Sequence, residues 1–146
     1  MALHKILCPI DFSNGSRHAL RVAAERARES SAVLTLLHVW APPIAGEFQF
    51  APVALQGMQD SEQAELAAWK ALAIEFGAAE VEARFTTGAP WDQIVKLARA
   101  DEAIELVVMG THGRTGLVHA LLGSVTEKVV RHAPCSVLVV RFPDKA

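Results

Sequence analysis

Hydrophobic residues recur along this chain in two alternating rhythms. The first is a short, almost unbroken apolar run, seen from Lys5 to Ile10, Val33 to Val39, Ile104 to Met109 and Ser136 to Arg141. Strands apolar on both sides belong inside a parallel sheet covered on both faces. Another segment, Val81 to Phe85, alternates apolar with polar, as an edge strand with one wet face should. The second rhythm is helical. Residues 15 to 29 place Ala19, Leu20, Ala23, Ala24 and Ala27 on one narrow face, with Arg17, Arg21, Glu25 and Arg28 opposite. Ser13 or Asn14 stands where a cap belongs.

A second helix, from Asp60 to about Phe76, is read from three features. Asp60 and Gln63 match a capping box, Ala64, Ala67, Ala68, Ala71 and Leu72 form an apolar face, and Gly77 is a stop signal. Pro90 lies near the first position of a third helix, Trp91 to about Ala100, with Ile94, Leu97 and Ala98 on its inner face. The last helix runs from Val125 to His132. Trp40 to Gly57 contains three prolines, two glycines and no period, and reads as the longest irregular stretch. Its Phe48, Phe50 and Val53 could cover a bound base, pack on a neighbouring chain or simply pack on their own domain.

Strands alternating with helices predict one α/β domain over residues 1–146, a five-stranded parallel open sheet with helices on both faces. Pro9 cannot donate to a sheet ladder, so the first strand ends there. Asp11 then lies at the carboxyl edge of a central strand, where such folds bind ligands.

Composition narrows the class. With 51% hydrophobic and 21% charged residues the chain can build a core, which excludes global disorder. A net charge of −2 argues against a basic nucleic-acid-binding surface. No apolar run approaches the roughly 20 residues that span a bilayer, and Met1 to Ile10 lacks a signal-peptide pattern, so the expectation is a cytoplasmic protein away from membranes. Cys8 and Cys135 form no Cys-x-x-Cys pair and read as reduced, buried thiols rather than a disulfide or zinc framework.

The candidate chemistry sits between the fourth strand and the last helix. Gly110, Gly113, Gly116 and Gly123 punctuate this loop, and Ser124-Val125-Thr126-Glu127 at its end matches a capping box. Glycine permits close approach of backbone amides to an anion, and a helix start offers unpaired amides. The same residues serve equally well as a plain turn leading to a capped helix, and pattern alone leaves both readings open. The Walker, dinucleotide and nucleophile-elbow signatures are all absent.

The spacing Gly110-x2-Gly113-x9-Gly123-Ser124 resembles the ATP-binding motif of the universal stress protein (UspA) family. Residues 6–13, Leu37-His38-Val39, Met109 to Arg114, Leu122 to Val129 and Ala133 to Val140 are similar to the family's other signatures, so the resemblance covers nearly the whole chain. It implies a Rossmann-like fold of the adenine nucleotide alpha hydrolase-like kind, and ATP as ligand, with Mg²⁺ accompanying the phosphates. Asp11 would lie near the ribose and adenine, with Pro9 and Val39 lining the base pocket. Met109 and Gly110 would sit beneath the nucleotide. Gly113, Gly123, Ser124 and Val125 would approach ribose and phosphates, and Arg114 stands where a guanidinium could reach phosphate. The resemblance further implies a homodimer paired through the last strand, whose Val137 to Val140 is apolar; a monomer with that edge covered by Phe142 to Ala146 is the alternative.

Other polar residues carry less. His38 reads as a satisfied core histidine, and His112, His119 and His132 lack metal-ligand spacing. Trp69 and Trp91 read as packing. No catalytic pair is evident beside Asp11. The expected role is an ATP-dependent regulatory or sensor module in the stress response, acting on a protein partner the sequence does not name. A slow ATP hydrolase and a nucleotide-independent interaction protein are the alternatives.

Overall fold

The computed structural model describes residues 3–42, 51–111 and 122–142. Five parallel strands form one sheet: β1 (Lys5–Pro9), β2 (Val33–Trp40), β3 (Glu80–Thr87), β4 (Ile104–Gly110) and β5 (Ser136–Val140). Their order is β3-β2-β1-β4-β5, so the first strand is central. Its Ile6, Leu7 and Cys8 are wholly buried, as an uninterrupted apolar strand between two helical layers requires. Among the described residues four helices cover the sheet: α1 (Asn14–Ser30), α2 (Pro52–Glu75), α3 (Pro90–Ala100) and α4 (Ser124–His132). α1 and α2 pack with Ile6 and Cys8 on one face; α3 and α4 pack with Leu7 and Val107 on the other. The α/β fold read from the periodicities is the fold observed. Among the described residues no helix is long and apolar enough to cross a membrane.

α1 buries all five residues of its expected face. Ser13 is its cap, the side-chain oxygen accepting from the Ser16 amide at 3.1 Å. The chain leaves α1 through Ser31 in the left-handed region (φ 54), with Ser31 N–H donating to Arg28 O and Ala32 N–H to Ala27 O. Gly77 (φ 118) ends α2 by the same pair of bonds, to Ile74 O and from Ala78 to Ala73 O.

α2 departs from expectation in two ways. It begins at Pro52, inside the stretch expected to be irregular, and Asp60 is a mid-helix residue accepting from Gln56 Nε2 at 2.8 Å rather than a cap. Proline at the first helical position needs no amide partner and starts the helix earlier. The buried side of α2 is Leu66, Trp69 and Ala73, while Ala64, Ala67, Ala68 and Ala71 face outward. Leucine and tryptophan remove far more apolar area from water than alanine, so the larger residues turn inward. Val53 is exposed; Phe48 and Phe50 lie outside the described residues.

Candidate functional site

The chain runs from β1 to β2 to β3 on one side, then returns to place β4 on the other side of β1. β1 leads into α1 on one face and β4 into α4 on the opposite face, so a crevice opens between their carboxyl ends. A cavity of about 470 Å³ lies there, within the range of small-molecule sites. Pro9, Asp11, Val39, Met109, Gly110, Gly123, Ser124 and Val125 line it together. Gly113 and Arg114, the other two expected site residues, lie outside the described residues, as do His112 and His119.

Two helix starts face this crevice and differ in one respect. At α1 a side chain caps the helix: Ser13 Oγ takes the Ser16 N–H at 3.1 Å. Asp11 organises this turn, its Oδ1 accepting from the Ser13 amide at 3.0 Å and the Ser13 hydroxyl at 2.5 Å. Ser16 Oγ in turn accepts from the Asp11 amide at 3.1 Å.

At α4 the cap residue is Gly123 (φ −61, ψ 158), which has no side chain with which to cap. The expected capping box of Ser124 and Glu127 is therefore not formed. Ser124 is already inside the helix, and Glu127 pairs with Arg131 at 2.7 Å instead of reaching back. The first amides of α4 therefore take no bond from a cap side chain, and they lie beside a cavity that Ser124, Val125 and Thr126 line. With the partial positive charge of a helix N-terminus, that arrangement can receive an anion. Two bonds hold it in place. The buried Thr126 hydroxyl donates to Gly110 O at 2.8 Å, and the Gly123 amide donates to Thr111 O at 2.7 Å.

The remaining walls were not legible as site residues. His38, read as a core histidine, is buried and also lines the cavity. Its Nδ1 lies 2.8 Å from Ile10 O and its Nε2 2.5 Å from Glu62 Oε2. Glu62 comes from α2, Trp40 from the end of β2, and Pro90 and Ile94 from α3. Phe12 stacks on His38 with centroids 4.3 Å apart, and on Trp69 at 5.4 Å edge-to-face. Phe12 adopts φ 67, a left-handed conformation that costs a non-glycine residue about 1–2 kcal/mol. The ring contacts hold it there, and the strained turn fixes the direction in which Asp11 enters α1.

Among the described residues no group of three or more His, Cys, Asp or Glu side chains could hold a metal ion. Cys8, wholly buried, has its thiol pushed up to about 12 by burial and takes no part in the cavity.

Comparison with known proteins agrees with this fold. The model of the universal stress protein family matches residues 2–141. The chain belongs to the universal stress protein family. Universal stress protein MJ0531 of Methanocaldococcus jannaschii is 35% identical over 147 aligned positions, spanning 97% of this chain and 84% of the relative. Among solved structures, universal stress protein UspA from Lactobacillus plantarum superposes with a TM-score of 0.81 at 27% identity, covering 97% of this chain and 99% of its own. A universal stress protein solved in complex with cAMP superposes at 0.76 with 28% identity, covering 97% and 98% of the two chains. The Gly110-x2-Gly113-x9-Gly123-Ser124 spacing of this universal stress protein has its first and last members on one cavity.

Proposed function

We propose that this universal stress protein binds an adenine nucleotide, ATP with Mg²⁺ in the first instance, and acts as a nucleotide-dependent regulatory module. The observation that carries the reading is the uncapped N-terminus of α4 opening on the 470 Å³ cavity. Phosphate oxygens would accept from amides of Ser124, Val125 and Thr126, each charge-assisted bond contributing about 1.5–3 kcal/mol. Pro9, Val39, Met109 and Ile94 supply the apolar surface a base requires. Asp11 lies on the same cavity, where a carboxylate suits ribose hydroxyls. The relative crystallised with cAMP supports the adenine class of ligand. Mg²⁺ would be held by the phosphates themselves.

The reading extends to a homodimer across β5. Among the described residues that strand is an edge, paired only with β4, and its Val137, Leu138 and Val139 are only half-buried. The two free thiols suit a reducing cytoplasm. Isothermal titration of nucleotide-stripped protein with MgATP, and with MgGTP as the contrast, tests the central claim. Saturable ATP binding is the expected result; no heat and no thermal shift with any adenine nucleotide would remove it.

A further inference from the structure

The histidine and glutamate on the α2 side of the cavity fix what kind of chemical group can sit beside them. Ile10 O is a carbonyl and can only accept, so at 2.8 Å His38 Nδ1 must carry a hydrogen. His38 Nε2 then faces Glu62 Oε2 at 2.5 Å with two possible arrangements. In one, an imidazolium donates to a carboxylate. In the other, a carboxylic acid donates its single hydrogen to a neutral ring. In both, the only proton Glu62 could offer is engaged with His38. What Glu62 presents to the cavity is therefore acceptor lone pairs and no donor, wherever that proton rests.

The pair is built to stay that way. His38 is buried, its ring held between Phe12 and Phe85 at 4.3 and 5.6 Å, and Glu62 is mostly buried at 22% side-chain exposure. An ionised phosphate is also an acceptor and finds no donor in Glu62, whereas the α4 end of the same cavity offers donors. Glu62 and the start of α4 thus have opposite hydrogen-bonding character.

We propose that Glu62 is a specificity-determining residue that accepts a hydrogen bond from a donor on the nucleoside half of the ligand, with His38 as the positioning residue that keeps Glu62 acceptor-only. The inference rests on the nucleotide-binding reading above and deepens it. The donor is either the exocyclic amine of adenine or a ribose hydroxyl, and the two are separable by analogue.

The experiment is calorimetric titration of wild type and Glu62→Gln with ATP, ITP, 2′-deoxyATP, 3′-deoxyATP and inorganic tripolyphosphate. ITP replaces the amine by a carbonyl, putting acceptor against acceptor. Wild type should bind one of the three analogues about tenfold or more weakly than ATP, because a buried polar group loses its partner. In Glu62→Gln, whose amide can donate as well as accept, that penalty should shrink to about threefold or less while tripolyphosphate affinity stays unchanged. A penalty confined to ITP assigns the amine, and one confined to a deoxynucleotide assigns the hydroxyl. Equal wild-type affinity for all four nucleotides overturns the inference without any variant. So does a penalty that survives in Glu62→Gln, or a variant that loses tripolyphosphate equally, since Glu62 then supports the fold rather than reads a donor. A wild type that binds no nucleotide removes the site reading itself, which is a different outcome.

Discussion

Replacing Gly123 with aspartate separates stability from binding, because the two should move in opposite directions. Gly123 sits at the cap of α4 with φ −61 and ψ 158, a backbone conformation open to any residue, so the substitution introduces no left-handed strain. An aspartate there can accept from the amide three residues on, which glycine cannot do. The capping gain over glycine is a few tenths of a kcal/mol, and a carboxylate at a helix N-terminus adds about 0.3–1 kcal/mol. The sum, about 0.5–1 kcal/mol, corresponds to a rise in Tm of about 1–4 °C for a domain of this size. The same carboxylate occupies the amides proposed to take phosphate and places a negative charge beside them. One charge pair about 5 Å apart at an effective dielectric near 20 costs about 3 kcal/mol, or roughly a hundredfold in affinity. Differential scanning calorimetry of the free protein and titration with MgATP read the two effects. A Tm several degrees below wild type would refute the uncapped helix start. ATP affinity within about threefold of wild type would refute the placement of phosphate on α4.

Three further expectations follow from other parts of the molecule. Ser31 ends α1 in the left-handed region at φ 54, so Ser31→Gly should raise stability by about 0.5–1 kcal/mol in urea denaturation, and a loss would show that the serine is unstrained. The Lys5 ammonium, 3.0 Å from Asp101, holds the Asp101 carboxyl below its ordinary value, with the Ala103 amide helping. A depressed carboxyl contributes stability above about pH 4 that is lost as pH falls through its folded value; with both side chains partly in water the contribution is at most about 1 kcal/mol. Asp101→Asn should therefore lower the urea midpoint at about pH 7 and flatten its fall toward about pH 2, and parallel pH profiles for both proteins would contradict the pairing. Finally, burial raises both thiols, Cys8 to about 12, and Cys135 is the less buried. A thiol reagent at about pH 8 should modify Cys135 slowly and leave Cys8 untouched until the protein unfolds, and early modification of Cys8 by mass spectrometry would contradict its burial.

Much of this protein follows from order along the chain. The uninterrupted strands could be read because a strand buried on both faces leaves no polar position, and α1 because a helix on a flat sheet buries one narrow stripe. Asp11 and Gly110 were legible as residues of the crevice for a related reason. The carboxyl ends of central strands in such a sheet converge whatever their side chains are, and a strand's end is written locally. Gly123 was legible as a loop glycine beside the last helix, though Ser124 was read as the cap and the structure gives that place to Gly123.

Tertiary packing decided the rest. Alanine is nearly indifferent to burial, so the stripe containing Ala64, Ala67, Ala68 and Ala71 could not be ranked against Leu66, Trp69 and Ala73 until α2 met the sheet. Ser124 and Asp60 both begin capping-box patterns, but a capping box is only one of several local hydrogen-bonding options, and Gly123 and Pro52 moved both helix starts upstream. The pair of His38 and Glu62 lies beyond any local rule. Each residue alone reads as ordinary, and only the packing of α2 across the end of β2 brings a carboxylate to a buried ring whose other nitrogen is already committed to Ile10. The sequence by itself determined the strands, the sheet and the glycine-rich turn before the last helix, because these depend on backbone periodicity and neighbours in the chain. The polarity of the opposite wall depends on contacts between distant segments, and that only the folded structure decided.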